Sequence, residues 1–576
     1  MSAPADQQTT GFARPVLGWA WGLLRLDFVG VAFGALLFCL SLTPSLLPRD
    51  WLFQGLIGGI NAVIGYALGV AIGATVHRLA LRNATWWPPP PPVLRALKAT
   101  VAIAAPIACV GMLVPAASWQ RQVSALMELP GPSTASYLRT LLVAAAFAAA
   151  AIAAARMVID AIKALSRILI RRLRLHSEVA LFIGTAIVVV LAVTLINGVL
   201  VRGFFLGANT VFEPRNNATD PGVSQPTAPQ RSGSPASLVS WEGLGRQGRN
   251  FVAGGPGADE LTALTGRPAK EPIRVYAGLH SADDADERMA LLVKELQRTR
   301  AAEREVLVIV PTTGTGWINP VAADSLEMMY GGDTAIVGVQ YSYLPSWISF
   351  LGDEEKSLAA GRRLIDTVQG WWQDLPMAHR PKLALYGESL GSLAGQGAFD
   401  WLPDIAERGF DAVLWVGPPN ASRLWGELEE RRDPGTPAVQ PRYDNGRTVR
   451  FSQATDPAAI AAVAAPPWEG PRVLYLQHAS DPVVWWSPDL LFSQPDWLTE
   501  APGADRSASM RWYPIVTFWQ VAFDITNGEA VPERHGHNYG DTILDGWAAV
   551  LPPDGWTGAD TERIRAKLRA EPDTVP

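Results

Sequence analysis

Three groups of residues, far apart in the chain, have the side chains that acyl transfer needs. The first is Ser389 in the run Gly387-Glu-Ser-Leu-Gly391. A serine hydroxyl can attack a carbonyl only where it stands clear of its own backbone. A sharp strand-to-helix turn provides this when the residues two before and two after carry no side chain. The second is Asp481, which closes Arg472-Val-Leu-Tyr-Leu-Gln-His-Ala-Ser-Asp481, an apolar run that passes into a turn presenting an acid. The third is His535 and His537 in Val531-Pro-Glu-Arg-His-Gly-His-Asn-Tyr539, two of only seven histidines. A carboxylate that fixes an imidazole in one tautomer, and an imidazole that removes the serine proton, together make the hydroxyl a nucleophile. The order Ser, Asp, His along the chain is the one expected for a serine on such an elbow. His478 precedes the acid and His379 lies in a polar connection, so neither suits the role of base. Side chains two positions apart in extended chain point to opposite sides, so His535 and His537 cannot both face Ser389. His537 is preferred because it lies nearer the helical segment 541–551, and His535 is the alternative base.

These residues need a scaffold, and the second half of the chain supplies one. Short β-branched runs at 274–277, 306–311, 334–341, 382–386, 412–416 and 472–477 alternate with helical stretches at 283–300, 354–373 and 390–400. That alternation predicts a mostly parallel sheet covered by helices on both faces, with function at the carboxyl ends of the strands. The strand at 306–311 runs into Thr312-Thr-Gly-Thr-Gly-Trp317. An oxyanion needs two backbone N–H donors. One is expected after the nucleophile, at Leu390, and the other on this earlier loop, at Thr312 or Thr313. The loop lacks the Gly-Lys-Ser/Thr ending that would make it a phosphate cradle. A long insertion at 418–470 is expected to cap the pocket. Trp425 and Trp468, with Trp485 and Trp486 just beyond Asp481, make either an acyl-binding surface or core packing.

The first two hundred residues differ in kind. Hydrophobic residues make up 48% of the chain and mean hydropathy is +0.12, high for a soluble enzyme, while the charges crowd into the C-terminal part. Spanning a bilayer takes about 20 apolar residues, and five stretches qualify: 28–46, 52–76, 100–117, 141–158 and 179–201. They predict an α-helical transmembrane bundle. Arg78, Arg82, Arg95 and Lys98 follow the second stretch, and Arg156, Lys163, Arg167, Arg171, Arg172 and Arg174 follow the fourth. Cytoplasmic connections retain such residues, which places the N-terminus inside and everything after residue 201 outside the cytoplasmic membrane. The first apolar stretch starts late and is followed by others, unlike a cleaved signal peptide. Gly65, Gly69 and Gly73 leave one helix face smooth for another helix, either within the bundle or in a homo-oligomer. No series of ionisable residues marks an ion or proton pathway, so the bundle reads as an anchor. Residues 207–238, rich in Pro, Ser and Asn, read as a linker. The domains expected are thus 1–206, 207–238 and a catalytic 239–576.

Composition removes several other functions. The net charge of -6, without a basic stripe, gives no support to nucleic-acid binding. Cys39 and Cys109 both lie in apolar segments and build neither a disulfide framework nor a zinc site. No pattern calls for a cofactor or metal.

With Thr312-Thr-Gly-Thr-Gly-Trp317, Gly387-Glu-Ser-Leu-Gly-Ser392 and His535-Gly-His-Asn-Tyr539 in hand, the chain resembles a bacterial family of membrane-embedded α/β-hydrolases, family nine of that fold. Its members join an N-terminal multi-span domain to a C-terminal catalytic one. The resemblance implies Ser389 as nucleophile, with Asp481 and one of the closing histidines as acid and base. His537 stands in the Gly-His-x-Tyr text of that family. The expected function is a membrane-anchored serine hydrolase that cleaves a lipid-like acyl ester on the extracytoplasmic side, with membrane lipids as its surroundings. An acyltransferase would use the same acyl-enzyme, and a membrane scaffold with an inert hydrolase fold is the reading from another class.

Overall fold

The structure, a computed structural model, describes residues 26–81, 89–195, 202–345, 349, 354–465 and 467–570. The chain forms two compact units. One contains Met1–Ala125, Pro130–Phe205 and Ser509–Phe523; the other contains Leu126–Leu129, Leu206–Ala508 and Asp524–Pro576. The catalytic portion expected at 239–576 therefore gives up fifteen residues, Ser509–Phe523, to the helical unit.

The helical unit is built from α1 (Phe28–Ser41), α2 (Trp51–Val76), α3 (Pro91–Leu126), α4 (Thr134–Leu173) and α5 (Ser177–Val193). Asp27 caps α1 by accepting from Gly30 N, and Asp50 caps α2 by accepting from Leu52 N and Phe53 N. Among the described residues three helices are long and apolar enough to cross a membrane: Trp51–Leu79, Pro91–Leu126 and Ser136–Leu173. Of the other two expected spans, α1 is short, at 14 residues, and α5 is described as an α-helix over 17 residues. The apolar stretch 28–46 leaves the helix at Ser41, just before Pro44 and Pro48, which cannot donate to a continuing helix. Residues 196–201, the end of the fifth stretch, lie outside the described residues. The basic residues after the fourth stretch, up to Arg172, continue the 40-residue α4 instead of forming a connection.

A Cβ on Gly65 would collide with the carbonyl oxygen of Phe33, and one on Gly69 would lie 2.6 Å from that of Val29. The smooth face of α2 is thus occupied by α1 of the same chain, the within-bundle alternative. The carbonyls freed where α1 ends need donors. Gln54 Nε2 donates to Ser41 O at 3.0 Å, and Gln520 Nε2 donates to Ser41 O at 3.2 Å and Thr43 O at 2.9 Å. Arg49 Nη2 donates in turn to Gln520 O at 3.2 Å, and Phe523 meets Phe53 edge-on with ring centroids 6.4 Å apart. The stretch 509–523 is therefore held in the helical unit by buried polar pairing as well as by apolar contact.

The other unit carries seven parallel strands in the order β1-β3-β2-β4-β5-β7-β6. They are β1 (Ile273–Ala277), β2 (Val306–Pro311), β3 (Thr334–Val339), β4 (Lys382–Glu388), β5 (Ala412–Val416), β6 (Val449–Ser452) and β7 (Arg472–Leu476). Burial on both faces explains their unbroken Val/Ile/Leu text. The helix Glu354–Gln373 packs with Ala285–Arg298 and Leu390–Gln396, while Thr542–Val550 packs with Pro320–Met329 and with β5 and β7. Inside β1, Arg274 is buried and donates to Glu327 at 2.8 and 2.7 Å and to Asp324, an ion cluster beneath the sheet.

Two expected boundaries change. The insertion 418–470 contributes the edge strand β6, and Trp425 is buried against Trp485 with its Nε1 donating to Gln477 at 2.7 Å. It thus adds to the sheet and core. The linker 207–238 begins inside α6 (Arg202–Asn217) and continues as a segment tied to β1. Ser232 N donates to Arg274 O at 2.9 Å, while the Arg231 side chain donates to Glu271 at 2.8 Å and to the carbonyls of Val252 and Pro256, each at 3.1 Å. Hydrogen bonds fix this polar text where apolar burial does not.

Candidate active site

Strand β4 delivers the chain into a turn at Ser389, whose φ of 54° and ψ of -127° lie outside the regions ordinary residues favour. Such a residue costs about 1–3 kcal/mol and persists only where its surroundings impose it. Here Ser389 N donates to Val416 O on the neighbouring strand at 2.9 Å, and the helix Leu390–Gln396 starts at once. Both glycines are needed sterically. A Cβ on Gly387 would lie 2.6 Å from the Trp415 ring, and one on Gly391 would strike the carbonyl of Pro311.

Asp481 stands just past β7 and is fully buried. Its two oxygens do different work. Oδ1 accepts from Val483 N at 2.8 Å and so caps the short helix Pro482–Trp485. Oδ2 accepts from His537 Nδ1 at 2.7 Å and from the Tyr539 hydroxyl at 2.8 Å. With Nδ1–H committed to the carboxylate, the lone pair of His537 is on Nε2, a buried atom without a hydrogen-bond partner among the described residues. Burial lowers the proton affinity of His537, but the adjacent Asp481 carboxylate outweighs it and raises the pKa to about 9.

His535 takes another direction. Its Nδ1 lies 3.5 Å from Asp505 Oδ2, and the neighbouring Gly536 N donates to Ser480 Oγ at 2.8 Å. Ser480 Oγ donates to Asp505, so this pair braces the loop that carries His537, with His535 lying beside it. His478, stacked on Tyr539 with ring centroids 4.2 Å apart, donates from Nδ1 to Gly536 O at 2.8 Å; burial lowers its pKa and favours the neutral form.

Ser389, Leu390, Thr313 and His537 line one cavity of about 490 Å³. Thr312 does not, and its hydroxyl donates to Val339 O at 2.7 Å. Thr313 N turns toward Trp317 O at 3.4 Å, a weak bond that leaves this N–H little committed. None of the insertion 418–470 lines the cavity, nor do Trp485 and Trp486. Its apolar wall is made by Phe212, Trp317, Pro345, Val483 and Ile525.

Some residues here were not singled out from the sequence. Glu388, one before the nucleophile, is buried, and Oε2 accepts from Asn319 Nδ2 at 2.9 Å and the Tyr386 hydroxyl at 2.8 Å. Burial pushes its carboxyl above the usual range. Asn319 also caps the helix Pro320–Met329, so Glu388 ties the elbow to the end of the 312–319 loop. Its position inside the elbow pentapeptide was the available signal. Arg215, Arg246 and Glu529 also line the cavity, and nothing in their local sequence distinguishes them from surface charges.

Two family models match the chain. One, described as the alpha/beta-hydrolase family, covers residues 273–564, just over half of it; the other, described as the N-terminus of that family, covers 42–256. No curated protein and no solved structure matches.

Proposed function

We propose, for a chain that belongs to the alpha/beta-hydrolase family in both its N-terminal and its catalytic part, a membrane-anchored serine hydrolase that cleaves an acyl ester. One observation carries the reading: His537, paired with Asp481 at 2.7 Å, brings an uncommitted Nε2 to the cavity that Ser389 also lines.

In the proposed reaction Ser389 Oγ attacks the ester carbonyl while His537 Nε2 takes its proton. The new C–O bond places negative charge on the carbonyl oxygen, and the N–H groups of Leu390 and Thr313 are the donors nearest to hand. Thr313 is favoured over Thr312 because it alone of the two lines the cavity. Collapse breaks the bond to the alcohol, which leaves with the proton from His537, and an acyl-serine stays behind. Water, deprotonated by the same imidazole, then releases the acid. Asp481 stabilises the imidazolium that forms in both halves.

The apolar wall suits an acyl chain, which favours a lipid-like ester. Three apolar helices support anchoring. The basic residues at the start of α3 and on the last part of α4 would keep those ends in the cytoplasm, and α5, whose apolar stretch runs on beyond the described residues at 195, would make the further crossing that puts the catalytic unit outside.

A fluorophosphonate probe tests the central reading. The natural chain should label at Ser389, and Ser389→Ala should not label at all. Labelling that persists in the alanine variant would place the nucleophile elsewhere.

A further inference from the structure

The charges around the cavity are not evenly spread. Arg215 and Arg246 line it from the end of α6 and from α7 (Gly245–Ala253), while Glu529 lines it from the segment that precedes His537. Glu529 acts on the catalytic side, where it favours the protonated form of His537. One wall is therefore cationic and another is acidic.

The groups on the cationic wall are donors with unused capacity. Among the described residues Arg215 has no carboxylate partner, and its guanidinium lies 5.9 Å from the Phe212 ring centroid. Arg246 donates to Asp220 from Nε alone, at 2.7 and 2.8 Å, which leaves its two outer nitrogens without a partner among the described residues. Next to Arg215 in the chain stands Asn216, only 7% exposed and also on the cavity wall. Its Oδ1 accepts from Gln340 Nε2 at 2.8 Å, which orients the amide, and its Nδ2 has no partner among the described residues. A buried amide N–H left unpaired is costly, so its retention in a cavity wall points to a ligand. Arg249 fixes the frame by donating from Nη2 to Asn216 O at 2.9 Å and Ala218 O at 2.6 Å. Glu213 and Asp220, the acids near this wall, do not line the cavity.

We propose that this wall is an anion subsite: the ester attacked by Ser389 carries a phosphate or carboxylate group, bound by Arg215, the outer nitrogens of Arg246 and Asn216 Nδ2. The proposal rests on the hydrolase reading above and adds the substrate class, an anionic amphiphile. Guanidinium groups match phosphate and carboxylate with paired N–H donors. Glu529 repels the same group from the catalytic side, so the substrate enters in one orientation, with its charge on α6 and α7 and its acyl chain on the apolar wall.

Two measurements test it, one with turnover and one without. In the first, kcat/KM is compared for p-nitrophenyl pentanoate and the mono-p-nitrophenyl ester of glutaric acid, which ends in a carboxylate. The natural chain should favour the anionic ester by about tenfold or more, and the double variant Arg215→Gln with Arg246→Gln should bring the ratio near one through KM. Arg300→Gln, a surface change on an arginine paired with Glu303, should leave the ratio as it was. In the second, the full chain carrying Ser389→Ala is titrated with lauroyl lysophosphatidate or monolauroylglycerol in neutral detergent, and calorimetry reports binding. The phosphate lipid should bind about tenfold tighter, with the preference lost in the double arginine variant and weakened by salt.

Equal binding of the two lipids, or a preference that survives both substitutions, overturns the subsite. Inorganic phosphate that displaces the lipid at micromolar concentration also overturns it, by assigning the wall to a free ion; displacement only at high millimolar concentration supports an amphiphile. Should neither ester turn over while the phosphate lipid still binds preferentially, the hydrolase reading fails and the anion subsite stands.

Discussion

Replacing Asp481 by Asn perturbs the site at its most buried contact and nearly preserves shape. The carboxylate accepts three hydrogen bonds, from Val483 N, His537 Nδ1 and the Tyr539 hydroxyl. An asparagine can keep the first through its oxygen, but its NH2 then faces two donors. His537 must turn its protonated nitrogen away, and Nε2 ceases to be the acceptor. The electrostatic part can be sized. Asp481 holds His537 at about 9 against an ordinary value of 6.5, which corresponds to about 3 kcal/mol in favour of the imidazolium. Burial opposes this while Glu529 and Glu388 favour it, so without the Asp481 carboxylate the pKa of the imidazole should fall from about 9. The base works only when neutral, hence kcat/KM of the natural chain should rise with pH and level off above about 9. In Asp481→Asn the rise should move to lower pH, and the plateau should drop by about 10⁴ because the tautomer is wrong. Hydrolysis of a p-nitrophenyl ester between pH 5 and 10, checked against the rate of fluorophosphonate labelling, reads both quantities. An unmoved rise, or a plateau reduced less than tenfold, would refute the assigned pairing.

Other perturbations separate neighbouring roles. Ser389→Ala should abolish ester hydrolysis while the protein folds normally, seen as activity below about a tenth of the natural chain with an unchanged melting temperature. His537→Ala should stop fluorophosphonate labelling almost entirely, whereas His535→Ala, which removes the ring beside the Asp505 brace, should label more slowly; the reverse outcome would move the base to His535. The raised pKa of His537 also makes stability depend on pH. Its contribution is fully present below pH 6.5 and is lost as pH rises through about 9, so the melting temperature of the Ser389→Ala chain should fall across that window and should fall less in His537→Gln. Arg274→Met strands Glu327 and Asp324 in the interior and should cost about 3–5 kcal/mol in denaturant unfolding. Finally, a reporter active only outside the cytoplasm, fused after Pro576, should be active, and activity of a cytoplasmic reporter there would overturn the orientation proposed for the catalytic unit.

Sequence reasoning succeeded where one local pattern has one physical use. Six of the seven strands are apolar runs bounded by turn residues, and the structure has them within a few residues of their expected limits. The seventh, Val449-Arg-Phe-Ser452, is four residues long and contains an arginine, so only its pairing with Val473–Leu476 marks it as a strand. The stretch 28–46 has enough apolar residues to span a membrane, but two prolines cut its helix short. The cavity's arginines lie at the end of α6 and the start of α7, polar text that periodicity alone assigns to a linker or surface. Their importance depends on which other segments come to face the same cavity, and that is a property of tertiary packing.

The excursion of Ser509–Phe523 into the helical unit falls between the two residues of the Asp481–His537 pair along the chain. The family has therefore not simply placed an enzyme after an anchor. A protein begun at residue 207 would keep both residues of the pair, yet leave Phe523 without Phe53 and Gln520 without its carbonyls. The return path to His537 would then start from an unanchored stretch. Inheritance follows the same constraint: recombination that exchanged one helical bundle for another at the 207 boundary would also have to replace a segment three hundred residues later.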